Sequence, residues 1–171
     1  MPYSLYPPGL HARATLSPDD ITALLAGARM LQRAAQRGPV QPLLRGKIFG
    51  LLCEATATGH DDAALFCRSA VELGAHVAHI RPIQWTHGAL QVPQDTARML
   101  GRLYNAVECQ GMPAEVVRGL RQHAAVPVFD GVASPHHPTA QVAELLDEVA
   151  SPADRRRLVL QAVLLSTLAD R

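Results

Sequence analysis

Lysine is almost missing from this chain. Lys47 is the one lysine, and the other basic residues are all Arg. Together with the many Ala, this skew reads as GC-rich coding bias rather than as an arginine-based function. An excess of charge of one sign is missing too: the formal net charge is +1, which gives no case for the strong field of a nucleic-acid or membrane surface. Cysteine is sparse. Cys53, Cys67 and Cys109 are odd in number, lack CxxC spacing and each lie in an apolar segment. They exclude a disulfide framework and read as reduced core thiols of a cytoplasmic protein. The N-terminal MPYSLYPPGLHARATL has no basic n-region and no apolar h-region, so no secretion signal is expected. No apolar run reaches membrane-spanning length, and there are no internal repeats.

What remains is a chain of 171 residues, 48% apolar, enough for one domain with a real core. It is organised around LLRGKIFGLLCEATATGHDDAALFCRSAVELGAHVAHIRP, Leu44 to Pro82. Lys47–Cys53 has the length and composition of a buried strand. Glu54–Gly59 reads as a loop and His60–Leu73 as a helix, with Ala63, Phe66, Cys67, Ala70 and Val71 at spacings of three and four. Gly74 stops the helix, and Ala75–Ile80 is a second strand. Strand, crossover helix and strand make a right-handed parallel unit. In such sheets anions sit where the first strand hands over to the helix, which here means Ala55–Asp62.

Around this unit the pattern continues. Ser17-Pro18-Asp19-Asp20 is a helix start, with Ser as N-cap, Pro at the first position and acids following. Ile21, Leu24, Leu25, Ala28, Leu31 and Ala35 form its apolar stripe, and Gly38-Pro39 ends it. Pro82–Pro93 is a long loop holding the only Trp. Further elements are expected over Asp95–Leu103 (helix), Tyr104–Cys109 (strand), Pro113–Ala124 (helix), Val126–Phe129 (strand) and Pro138–Val149 (helix). Ser151-Pro152-Ala153-Asp154 repeats the helix-start signature. The last helix, Arg155–Ala169, is apolar nearly all round and must be buried by something. Its Arg155-Arg156-Arg157 run could bind an anion, and a solvated charged end on an apolar helix explains it as well.

Four stretches, LLRGKIFGLLCE, ELGAHVAHIRP, DTARMLGRLYNAV and VPVFDGVASPHHPTAQVAELLDE, resemble the carbamoyl-phosphate-binding, N-terminal domain of the aspartate/ornithine carbamoyltransferases. The likeness covers about Ser17 to Glu148. The last helix also resembles the helix that closes those enzymes. The resemblance implies an α/β three-layer sandwich with a four-stranded parallel sheet in order 2-1-3-4 and helices on both faces. It also implies that residues 1–150 form the carbamoyltransferase-like domain, and that the helix of 151–171 packs back on it. The amino-acid-binding domain that the family carries between the two is absent from the sequence.

The family's phosphate loop, S-T-R-T-R, offers hydroxyls and guanidiniums to a dianion. The corresponding stretch here is Ala57-Thr58-Gly59-His60-Asp61-Asp62, and no arginine lies between Arg45 and Arg68. Asp61 and Asp62 are expected in the first helical turn. There they satisfy the helix dipole, worth about 0.3–1 kcal/mol each, and repel a phosphate by about 1 kcal/mol per charge pair at 4 Å even in water. The family's strand-three arginine corresponds to Gln110. Its H-P-x-Q motif keeps His137 and Pro138 but has Ala140 in the Gln position, with Gln141 one place late. The loop that reaches a neighbour's active site keeps Gly88 but has Trp85 and Thr86 where substrate contacts would sit.

These residues point to a vestigial ligand pocket of Thr58, Gly59, His60, Asp61, Gln110 and His137. No residue is assigned a catalytic role, and no metal or cofactor is expected. Asp62 joins His60, Asp61 and His137 as the nearest thing to a catalytic constellation, yet the set names no reaction. The expected function is that of an inactive carbamoyltransferase-like protein acting as an assembly or protein-interaction subunit. Its partner would be itself, as a trimer, or a full-length carbamoyltransferase, with Trp85 as interface anchor. An isolated domain exposing Trp85, Leu90 and Val92 beside Phe66 and Leu73 would present a large apolar patch. The alternative is a small-molecule binder or enzyme with a pocket rebuilt around His60 and His137. The third reading is residual aspartate or ornithine carbamoyltransferase activity in arginine or pyrimidine metabolism.

Overall fold

A computed structural model describes residues 15–39, 41–53, 57–81, 92–146 and 151–168, with side chains of the segment from 57 described from Asp61 onward. The elements are α1 (Pro18–Arg37), β1 (Ile48–Cys53), α2 (Ala57–Glu72), β2 (His76–Ile80), α3 (Gln94–Leu103), β3 (Ala106–Gln110), α4 (Ala114–His123), β4 (Val128–Asp130), α5 (Thr139–Glu144) and α6 (Pro152–Leu168). The four strands make one sheet in the order β2-β1-β3-β4, and every pairing is parallel. The expected α/β class and strand order 2-1-3-4 are therefore observed.

Local chemistry explains the elements. Ser17 and Asp20 form a reciprocal capping box: Ser17 Oγ accepts from the Asp20 N–H at 3.1 Å, and the Ser17 N–H donates to Asp20 Oδ2 at 3.1 Å. Phe49, Gly50, Leu51 and Leu52 are all buried, as a strand between two layers must be. β3 begins two residues later than its apolar pattern suggests. Asn105 lies ahead of it and anchors the sheet edge-on, its N–H donating to Ile48 O and its Oδ1 accepting from the Ile48 N–H, both at 2.8 Å.

Strand alternation sorts the core into two layers. Phe49, Leu51, Ala106 and Phe129 face α1, α2, α5 and α6, together with Phe66, Leu160 and Leu164. Leu52, Val107, Cys109 and Val128 face α3 and α4, together with Leu100, Val117 and Leu120. By the same alternation Glu108 and Gln110 share the face of Ala106, toward α2 and α6. α6 packs against α1, α5 and α2. Every residue from Leu158 to Leu164 is buried, Gln161 included.

Several expectations are corrected. Phe66 and Leu73 are fully buried and Val92 nearly so. They cannot join an exposed patch, because Phe66 meets Phe49 edge to face at 5.6 Å in the core. α5 stops at Glu144 rather than Val149. Leu145 and Leu146 donate to carbonyls three residues back, a tight last turn that sends Leu146 into the core and leaves Leu145 51% exposed. Ala35 is exposed, although its spacing put it on the apolar stripe of α1. Trp85, Thr86, Gly88 and Leu90 lie outside the described residues.

Candidate functional site

β1, β3 and β4 end together: Cys53 is in register with Gln110, and Cys109 with Asp130. Above these ends lie the start of α2, the connection 131–138 and the first turns of α6. The expected loop through Gly59 is in fact helix, since α2 begins at Ala57. Thr58, Gly59 and His60 lie in its first turn, and their side chains fall outside the described residues. Asp61 and Asp62 are therefore the fifth and sixth helical residues and do not cap the helix. Asp61 is exposed. Asp62 is half-buried and turns to the sheet, where Gln110 donates through Nε2 to Asp62 Oδ2 at 2.9 Å.

Gln110 is 4% exposed, and among the described residues its Oε1 has no hydrogen-bond partner. Burial pushes the Asp62 carboxyl above the usual carboxylate range. The Arg156 guanidinium acts in the opposite direction, Asp61 raises it further, and His136 lowers it slightly.

Arg156 overturns the reading of a solvated charged end. Its Nη2 donates to Ala133 O at 2.8 Å and to Ser134 O at 2.9 Å. Its Nη1 is buried without a partner among the described residues. Burial lowers its pKa, partly offset by Asp62. Arg157 is equally engaged, pairing with Glu72 of α2 and with Asp154.

The connection after β4 is held from three sides. Glu108, fully buried on β3, accepts the Val132 N–H through Oε1 at 3.0 Å. Thr139 Oγ1 donates to Val132 O at 3.2 Å, and His137 Nδ1 lies 2.9 Å from that hydroxyl. Arg156 supplies the third hold. His137 is 1% exposed, so its imidazole belongs to this scaffold. Gln141 is exposed and is not a buried replacement for the amide missing at Ala140. Burial pushes the Glu108 carboxyl up to about 8. The Val132 N–H lowers it, Asp130 and Asp62 raise it, and Arg121 lowers it.

The structure thus brings together Asp62, Gln110 and Arg156, with Glu108 beneath. Of the expected pocket residues whose side chains are described, Asp61, Gln110 and His137, Gln110 alone belongs to this cluster. Sequence reasoning placed Asp62 at a helix cap, Arg156 in solvent and Glu108 nowhere. The one available signal for Glu108 was an acid in the middle of an apolar strand. Among the described residues no three His, Cys, Asp or Glu side chains gather as a metal site, and no helix is long and apolar enough to cross a membrane.

A parallel sheet whose strand ends, helix start and following loop frame a polar cluster is the architecture of an α/β ligand-binding domain. More specifically, the chain belongs to the aspartate/ornithine carbamoyltransferase family. Residues 10–147 match that family's carbamoyl-P binding domain, a stretch that ends before α6. The chain is 40% identical over 127 residues to the ornithine carbamoyltransferase of Actinobacillus pleuropneumoniae serotype 5b (strain L20), covering 74% of this chain and 37% of that protein. It is 39% identical over 127 residues to the catabolic ornithine carbamoyltransferase of Burkholderia mallei (strain ATCC 23344), with the same coverage of 74% and 37%. It therefore spans well under half the length of these curated relatives.

Among solved structures, the ornithine carbamoyltransferase from Pyrococcus furiosus superposes with a TM-score of 0.60 at 24% identity, covering 81% of this chain and 45% of that one. That from Gloeobacter violaceus superposes with a TM-score of 0.54 at 26% identity, covering 77% and 40%.

Proposed function

We propose that this chain is a carbamoyltransferase-family domain that does not transfer carbamoyl groups. On this reading it works as a cytoplasmic assembly or interaction subunit, with copies of itself or with a full-length carbamoyltransferase. The observation that supports the loss of catalysis is the Gln110–Asp62 hydrogen bond. The side chain at the end of β3 is committed to the protein's own carboxylate. A dianion arriving there meets Asp62 and Asp61, each opposing it by about 1 kcal/mol per unit-charge pair at 4 Å in water and by more in a buried setting. Arg156 offsets one of these charges but not both.

Trimeric assembly is the form the family likeness suggests, with Trp85 as the proposed anchor. Calorimetry of the full chain with millimolar carbamoyl phosphate should give no saturable heat, and assays with ornithine or aspartate no product. Either signal would overturn the loss of catalysis. Light scattering should give a mass well above the 18.4 kDa of one chain. A monomer at micromolar concentration would overturn the assembly role.

A second reading, a binder of an uncharged polar molecule, has its own observation. Glu108 Oε2, Gln110 Oε1 and Arg156 Nη1 are buried without partners among the described residues, and such groups are costly unless something satisfies them. The proposed rebuilding around His60 and His137 is moved to these three side chains. A thermal-shift screen of neutral amides and polyols tests it, because a specific ligand stabilises the folded chain by mass action. Failure of every compound to raise the melting temperature would count against it.

A further inference from the structure

We infer that Asp62 is a built-in ligand: its carboxylate takes the Gln110 amide, within the field of the Arg156 guanidinium, and so blocks an oxyanion receptor that these two side chains would otherwise offer. The inference rests on the reading that the wild-type site takes no carbamoyl phosphate, and extends it from a lost site to an occupied one. Three observations support it. First, the amide of Gln110 is almost wholly buried, and the hydrogen bond its Nε2 makes goes to Asp62 Oδ2, a charge-assisted bond of the kind an amide makes to a bound anion. Second, Arg156 is fixed through Nη2 by two carbonyls of the 131–138 connection, while Nη1 stays buried without a partner among the described residues. It is also the group that most favours ionised Asp62. Third, Asp62 sits within α2 rather than at its end, so helix capping does not account for an acid at this position.

Removing the carboxylate would take from Gln110 Nε2 its acceptor, beside an Arg156 Nη1 that is already buried without a partner among the described residues. Such donors are expensive to leave unsatisfied, and an external oxyanion, either a carboxylate or a phosphate, has the matching chemistry. The same substitution removes a repelling negative charge. Both effects act in one direction, so Asp62→Ala should gain anion affinity rather than lose function.

The test is calorimetry on the full chain in three forms: wild type, Asp62→Ala, and Asp62→Ala combined with Gln110→Met. Each is titrated with inorganic phosphate and, separately, with acetate. Wild type should show no saturable heat with either. Asp62→Ala should bind at least one of them with affinity raised roughly tenfold or more over any wild-type signal, and the Gln110→Met double variant should lose most of that gain. Preference for phosphate would identify a dianion receptor and preference for acetate a carboxylate receptor; both support the inference. Asp62→Ala that titrates like wild type with both anions would overturn it, as would a gain left intact by Gln110→Met. Should Asp62→Ala fail to melt cooperatively, Asp62→Ser is judged by the same criteria. A wild-type chain that binds carbamoyl phosphate fails the proposed function. A silent wild type with a silent Asp62→Ala fails this inference alone.

Discussion

Glu108 Oε1 accepts the Val132 N–H at 3.0 Å, while its second oxygen, Oε2, is buried with no partner among the described residues. Burial holds a carboxyl placed so protonated up to a pKa of about 8, against an ordinary 4.5; the Val132 N–H and Arg121 oppose the rise, and Asp130 and Asp62 add to it.

The pH dependence follows from that shift. The folded chain keeps the Glu108 proton where the unfolded chain has lost it. Its contribution is thus fully present below pH 4.5 and is lost as pH rises toward about 8, at up to about 1.4 kcal/mol per pH unit for one proton. Glu108→Gln keeps an acceptor for Val132 but cannot ionise. Urea melts from pH 5 to 9 should show a shallower decline for the variant, which should be the more stable of the two at the alkaline end. Parallel curves would sink this account.

Arg156→Leu removes two hydrogen bonds from a charged donor to the 131–138 connection. Charge-assisted bonds are worth roughly 1.5–3 kcal/mol each, and partial relaxation brings the total toward the low end. Chemical denaturation should show a loss of about 3 kcal/mol. Hydrogen exchange at the Ser134 and His137 amides, both bonded within this connection, should quicken. Unchanged exchange would remove the clamping role.

Leu160 and Leu164 on α6 are fully buried, between α1, α2 and α5. Either Leu→Ala change should cost about 2–5 kcal/mol, the range for cavities in a packed core. Truncation after Val149 removes all of α6 and should give an insoluble or molten chain. A truncated protein that melts sharply near the full-length temperature would contradict this.

Gly101 in α3 approaches the end of α4 so closely that an added Cβ would lie 1.5 Å from Ala124 O. Gly→Ala inside a helix ordinarily gains up to about 1 kcal/mol. Here the clash is with backbone, so the helices must separate, and Gly101→Ala should destabilise by about 1–3 kcal/mol or more. A raised melting temperature would show that the two helices are not in this contact.

The elements were legible because each is written in local chemistry. Ser17 and Asp20 are three residues apart, and the unit from Ile48 to Ile80 rests on two short apolar runs, a helical stripe of period 3.6 and a glycine stop at Gly74. The parallel order was legible through likeness to a family. The start of α2 was misplaced because Thr58-Gly59 has loop-like composition, and helix propensity is a weak guide against tertiary context. Moving that start by three residues turned Asp62 from a cap into a side chain reaching Gln110.

The sequence by itself determined the strand and helix segments and the absence of arginines between Arg45 and Arg68, since these depend on residues that are neighbours in the chain. Only the tertiary structure decided what fills the site. Gln110 meets Asp62 across 48 residues, Glu108 meets Val132 across 24 and Arg156 reaches Ala133 across 23. Pairings at such separations leave no periodic trace. A long arginine reads as solvated at a helix end until packing removes water from it, and a buried acid reads as misplaced until the strand's alternation shows which face it occupies. Burial then sets their chemistry: desolvation holds Glu108 protonated and raises the Asp62 carboxyl too, while the Arg156 guanidinium opposes that rise at Asp62.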